Sequence, residues 1–387
     1  MKIKQVTMYH VQLPMIFEFK TAKGKFNSRD TIIIKTEDYS GLTGFGEVVS
    51  FISPFYTEET LDFSWEKLKT DYIPKILKSS LSHPFEIHQL FENPLPMALS
   101  GLENSLLDLY FKEKNSNIIL GLFSEKLSQT IPRGAVLGQL TTKQILKEID
   151  ILVKKGVKRV KLKISPEQGI DVVRIAITTY PQIDFAVDAN RSFSMKDWSD
   201  IVALDQLGLV CIEEPFKIET IGELAQALAL QGNDFSRVSS NDDARFSQSI
   251  LKTPICFDES VQSLDDLQLL PELPLKTMLN IKIGRLGGLY HTQKAIEFCR
   301  NNQIGFWIGS MVESGISKIL HVQLAALSGN VMAGDLSDSQ YYFEEDLIIP
   351  EIVFSEGFMT VPTGDGIGVG INEGALNRAT IRKEIFQ

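Results

Sequence analysis

Residues 3–13 (IKQVTMYHVQL) and 31–36 (TIIIKT) carry the β-branched enrichment and apolar clustering of strands. Asp38 to Gly44 (DYSGLTG) reads as a turn into a further short strand around Phe45–Val49. Residues 15–29 (MIFEFKTAKGKFNSR) lack periodicity, and a 15-residue structureless loop in a compact domain points to a lid or binding loop, the plainer alternative being a floppy hairpin connection. From Thr57 to Lys114 the pattern is helical, clearest in MALSGLENSLLDLYFK, where Leu99, Leu102, Leu106 and Leu109 share a face. After Ile131 short apolar runs alternate with amphipathic stretches. The expected strands are Arg133–Gly138, Arg159–Ile164, Asp184–Asp188, Leu209–Ile212, Ile255–Phe257, Met278–Ile283 and Gly305–Ile308. Segments such as LTTKQILKEIDILVKKG, with a helical stripe and a Gly stop, lie between them. Repeated strand–helix units imply parallel strands with right-handed crossovers, and seven or eight of them favour a closed (β/α) barrel. Residues 347–369 return to strands and Gly-rich turns, and are expected to pack back on the N-terminal part.

Composition narrows the class. The 387 residues are 43% hydrophobic and 23% charged, ordinary globular proportions that exclude a disordered, collagen-like or coiled-coil chain. With 39 Lys+Arg against 49 Asp+Glu the formal charge is −10, so neither nucleic acid nor an anionic membrane is an expected partner. Three scattered cysteines (Cys211, Cys256, Cys299) with no CxxC fit a reducing compartment. The N-terminus has no apolar signal core and no run of 18 apolar residues occurs, so a cytoplasmic protein is expected.

Five of the expected strands carry a charge in one kind of place. Lys161 and Lys163 lie in RVKLKI, Asp188 ends FAVD, Glu213 ends VCIE, Asp258 ends ICFD, and Lys282 lies in LNIKIG. In a (β/α) barrel the strand C-termini converge on one mouth, where active sites form. Three carboxylates meeting there, with no Cys or His among them, suit Mg2+ better than zinc. Lys161 and Lys163 are two apart and face one side, which must then hold carboxylates or substrate. Lysines flanking such a metal are what proton abstraction next to a bound carboxylate needs, provided one has a lowered pKa. Asp188 to Glu213 is 25 residues and Asp258 to Lys282 is 24, one strand–helix unit each, whereas Glu213 to Asp258 is 45. The excess falls in the polar stretch 231–248, read as an exposed surface excursion.

The series KLK, VDAN, IEEP, FDES and NIKIGRLGG resembles the enolase superfamily in its muconate lactonising enzyme subgroup, and within it the o-succinylbenzoate synthase/N-succinylamino acid racemase family. GFGE (44–47), GSMVESG (309–315), GDLS (334–337) and VPTGDGIGV extend the likeness over nearly the whole chain. The resemblance implies a modified (β/α)7β TIM-like barrel at 129–340 with an α+β capping domain built from 1–128 and the returning segment 341–387. It implies Asp188, Glu213 and Asp258 as Mg2+ ligands, with Mn2+ as a substitute, and Lys163 as the acid/base. The implied reaction is syn elimination of water from 2-succinyl-6-hydroxy-2,4-cyclohexadiene-1-carboxylate, in menaquinone biosynthesis. The implied alternative is racemisation of N-succinylamino acids. Lys282 would steady the enediolate, or act on the opposite face in racemisation, and Lys161 would support Lys163. Asn190, Glu259, Ser260, Ser310, Met311 and Glu313 would line or brace the mouth. The loops at Phe19–Phe26 and Ser50–Phe55, with Phe19 and Phe51, would close over a small carboxylate substrate. Arg285 resembles the arginine that accompanies racemase activity, where a cation near Lys282 lowers its pKa. Related enzymes are often dimers or octamers, so a homo-oligomer is compatible with the resemblance.

Val136 stands where the family often has Ser, and the segment after Glu213 is long. A mandelate racemase-like mechanism needs a His at the mouth, but His291 and His321 fall in helical stretches. Dipeptide epimerases carry DxD near the last strand, whereas here Asp335 and Asp338 are three apart. A catalytically dead binding module conflicts with the intact lysine pair and acid triad.

Overall fold

The computed structural model describes residues 1–21, 24–54, 56–138, 140–231 and 250–387. Ile3–Thr21, Gly24–Asp38 and Thr43–Val48 form an antiparallel sheet, and Thr380–Phe386 adds a fourth strand beside the first. Alternation sends Val6, Met8, Ile32, Ile34 and Val48 into one apolar cluster with Leu99, Leu102, Leu106 and Leu109 of the helix Pro96–Glu113. That helix presses on the third strand so closely that a Cβ at Gly44 would meet Ser105 O, and one at Gly46 would meet Gly101 O. The two glycines of GFGE are therefore packing requirements.

Seven parallel strands follow in chain order: Gly134–Leu137, Arg159–Lys163, Asp184–Asp188, Ile212–Glu213, Ile255–Phe257, Thr277–Ile281 and Gly305–Ile308. Single bridges from Asn330 to Phe306 and from Gly334 to Arg133 carry residues 330–334 across the gap between the last strand and the first. The helix Thr142–Lys154 after the first barrel strand starts at a Thr141–Gln144 capping box and buries Ile145, Ile149 and Leu152. His291 and His321 lie in the helices Leu289–Asn301 and Gly315–Ala325, as expected.

The structure departs from the sequence reading in three places. Residues 15–21 and 24–29 are not a free loop: the first two strands run on through them, with Phe19 opposite Phe26 after a register break that follows Pro14. Pro14 lacks a backbone donor, and the break there disguises the period-two pattern. The fourth barrel strand is Ile212–Glu213, shorter and later than the expected Leu209–Ile212. Finally, Phe354–Ser355 pairs with Phe358–Thr360, which in turn pairs with Thr130–Pro132 just before the first barrel strand, and Thr380–Phe386, unforeseen as a strand, joins the N-terminal sheet. The excursion expected at 231–248 lies, beyond Gln231, outside the described residues.

Candidate active site

Strand register assembles the site. Lys163 pairs with Asp188, and Asp188 with Glu213, so three charged residues stand level across adjacent parallel strands and point to one side. Asp258 follows the next strand, whose Cys256 pairs with Glu213. Lys282 follows the sixth strand and caps the short helix Ile283–Leu286.

Each carboxylate has a cationic partner. Lys163 Nζ donates to Asp188 Oδ2 at 2.9 Å and to Asn190 Oδ1 at 2.6 Å. Lys161 Nζ lies 2.7 Å from Glu213 Oε2, 2.5 Å from Asp335 Oδ2 and 3.5 Å from Asp188 Oδ2. Lys282 Nζ donates to Asp258 Oδ2 at 2.6 Å, and Arg285 also sits on Asp258. Tyr56, from the capping region, donates its hydroxyl to Asp258 Oδ1 at 2.8 Å and receives hydrogen bonds from Lys282 at 3.1 Å and Arg285 at 3.2 Å. Asn280 Nδ2 donates to Glu213 Oε1 at 2.8 Å.

Burial drives the electrostatics. It pushes the Glu213 carboxyl up to about 7, opposed by Lys161 and reinforced by Asp188 and Asp335. Asp188 goes the other way: burial raises it, but Lys163, Lys161 and the Asn190 N–H hold it well below the usual carboxylate range. Burial alone lowers Lys161, yet Asp335, Glu213 and Asp188 outweigh it and leave the ammonium above the ordinary lysine value. Lys282 behaves alike: burial lowers it, while Tyr56, Glu259 and Glu213 raise it further. The expected lowering of Lys282 by Arg285 is thus not what the structure shows: Arg285 sits on Asp258, and the groups around Lys282 outweigh burial. Glu214, the second acid of IEEP, accepts from Asp258 N, Ser260 N and Ser260 Oγ at 2.7–2.8 Å and fixes the turn carrying Asp258.

A cavity of about 310 Å³ opens over this constellation. Residues 144–375 match the enolase C-terminal domain-like family. The chain belongs to the enolase superfamily. It is 33% identical over 387 residues to the o-succinylbenzoate synthase of Bacillus subtilis (strain 168), covering 100% of this chain and 98% of that one. It is 28% identical over 386 residues to the N-succinylamino acid racemase of Thermus thermophilus, covering 98% of each. Among solved structures, a member of the enolase superfamily from Enterococcus faecalis V583 superposes with a TM-score of 0.88 at 31% identity, covering 100% of this chain and 99% of that one.

Within this enolase-superfamily frame, the cavity brings together Lys161, Lys163, Asp188, Asn190, Asp258, Glu259 and Lys282, with Phe51, Ser310 and Met311 on its walls. Glu213 and Arg285 stand behind that lining, buried against Lys161 and Asp258 respectively. Glu313 is likewise behind it, accepting from Ser310 Oγ at 3.2 Å and Met311 N at 2.5 Å, and so shapes the loop rather than the wall. Phe19 is placed by its backbone alone, in the capping hairpin. His321 is buried 3.5 Å from Glu313, a core histidine as expected. Sequence reasoning missed Tyr56 and the role of Asp335 as a counter-ion to Lys161. GDLS contained the aspartate, but only the strand closure puts it beside the second strand. Among the described residues no three His, Cys, Asp or Glu side chains stand together as a metal-binding group.

Proposed function

We propose that this enzyme is an o-succinylbenzoate synthase, removing water from 2-succinyl-6-hydroxy-2,4-cyclohexadiene-1-carboxylate to give 2-succinylbenzoate. The observation that carries the reading is the pair Lys163 and Lys282 lining one cavity from the second and sixth of the barrel strands. In a ring of eight places those positions are opposite. The donor set fits a hard divalent cation, since Asp188, Glu213 and Asp258 are buried oxygen ligands with no His or Cys among them. The nearby Glu259 Oε2, buried with no hydrogen-bond partner among the described residues, adds a further oxygen to this donor set. Magnesium held there, or manganese in its place, would draw electron density from the substrate carboxylate and so acidify the adjacent C–H.

Lys163 takes the proton α to the carboxylate as a free amine and delivers it to the departing 6-hydroxyl on the same face. Asn190 Oδ1, 2.6 Å from its nitrogen, fixes where that nitrogen points. Lys282 remains charged and balances the negative charge that builds on the carboxylate. Lys161 keeps Glu213 and Asp335 neutralised in a buried place. The same opposed lysines favour a second reading, N-succinylamino acid racemisation, in which Lys282 serves the other face.

The test follows loss of the cyclohexadiene ultraviolet absorbance for wild type, Lys163→Ala and Lys282→Ala, with Mg2+ and with EDTA. Polarimetry on N-succinyl-L-phenylglycine follows on the same preparations. Metal-dependent dehydration lost in both variants supports the synthase. Racemisation without dehydration replaces it by the second reading, and silence in both assays rejects both.

A further inference from the structure

The cavity wall includes one cation that the steps above do not use. Arg133 immediately precedes the first barrel strand and lines the cavity beside Ser337 and Tyr341. It is only 4% exposed. Its guanidinium lies over the rings of Tyr341 and Phe354, 4.8 and 4.7 Å from their centroids. Asp338 Oδ1 is 4.0 Å from Nη1, beyond hydrogen-bond reach. Nε is buried without a partner, and among the described residues nothing accepts a hydrogen bond from this side chain.

A guanidinium is always charged and carries five donors in a rigid fork that matches a carboxylate. Two aromatic faces flank its plane, and among the described residues its donors go unused. The neighbouring wall position, Val136, offers no donor of its own. Val136 pairs with Lys161 on the second strand, and the cavity that holds Lys161 and Lys163 runs along this wall to Arg133.

We propose that Arg133 recognises a second carboxylate of the substrate, the one remote from the reacting carbon, and so selects dicarboxylic substrates over monocarboxylic ones. The inference rests on the functional reading above, which supplies the first carboxylate at the lysines. Arg133 acts only in recognition and takes no part in proton transfer.

Calorimetric titration in the presence of Mg2+ compares 2-succinylbenzoate with 2-butyrylbenzoate, which lacks the distal carboxylate, on wild type, Arg133→Met and Arg133→Lys. Wild type is expected to prefer the dicarboxylate roughly 10- to 100-fold, the range of a charge-assisted hydrogen-bonded pair. Arg133→Met should lose that preference, and Arg133→Lys, which keeps the charge without the fork, should retain part of it. A wild type that binds both compounds equally overturns the subsite and leaves the functional reading standing. A preference that survives in Arg133→Met also overturns it, as does equal weakening of both compounds in both variants, which marks a packing residue. A wild type that binds neither overturns the functional reading and the subsite with it.

Discussion

Lys163 and Lys282 reach the cavity from separate strands, and that separation is what moving a proton between the two faces of one carbon requires. On the racemase reading, removing either lysine should slow racemisation of N-succinylphenylglycine by at least about 100-fold. Each variant should nevertheless still exchange the α-proton of one enantiomer with deuterium from solvent, the opposite enantiomer in the two cases. Proton NMR in D2O reads this directly, and two variants sparing the same enantiomer would sink the two-base assignment. At this scale the sequence was most legible for charged residues at strand ends, because a charge inside a barrel needs a partner or a ligand. Asp188, Glu213, Asp258, Lys161, Lys163 and Lys282 all announce themselves in that way. Tyr56 does not, since an aromatic in a loop has no period, and its hydrogen bond to Asp258 spans 202 positions of chain.

Glu47 shows how an element boundary carries chemistry. This last residue of GFGE is buried and accepts hydrogen bonds from Ser314 N, Ser314 Oγ and Ser317 N at 3.0, 2.7 and 3.2 Å, capping the helix Gly315–Ala325 from another part of the chain. Burial nevertheless pushes its carboxyl from 4.5 up to about 7, with Glu313 raising it further and the Ser314 hydrogen bonds and Arg29 opposing. Between those values the folded protein keeps a proton that the unfolded chain has released. Stability therefore falls as pH rises through that window, by up to about 3 kcal/mol from this group, and is flat above it. In Glu47→Gln that decline should be missing, so thermal unfolding of the variant should gain on wild type between pH 5 and pH 8. Parallel melting profiles across that range would refute the assignment. Elements with one uninterrupted period, such as the helix Pro96–Glu113, were readable in advance. The long hairpin was obscured by its register break at Pro14, and Thr380–Phe386 by its exposed, charge-bearing face.

At the scale of the whole molecule the barrel and its cap are joined through buried polar groups, and Arg29 is the chief of them. It is 1% exposed and sits in the second strand of the capping hairpin. Its guanidinium donates to Val49 O at 2.5 Å and Ser50 O at 3.0 Å, and to Val312 O at 3.2 Å beyond the seventh barrel strand. The same group lies 4.2 Å from the centre of the Phe51 ring, which lines the cavity. One side chain thus fixes the hairpin, the loop bearing Phe51 and the barrel loop bearing Met311 relative to one another. The expectation of loops closing over a barrel mouth came from the sequence, but the tie between them did not, because it joins positions 283 residues apart through backbone carbonyls that no side-chain pattern reveals. Arg29 also donates to Asp30 O, and lysine at this position keeps the charge but has a single nitrogen to satisfy four carbonyls, leaving buried acceptors unpaired. Arg29→Lys should lose about 3 kcal/mol of stability. Its KM should rise more than its kcat falls, since Arg29 touches the walls that hold substrate and none of the lysines that move the proton. Chemical denaturation combined with steady-state kinetics measures both. A variant that loses kcat at unchanged KM would mean that the seam acts on the proton-transfer groups, and that the barrel mouth holds its substrate without help from the cap.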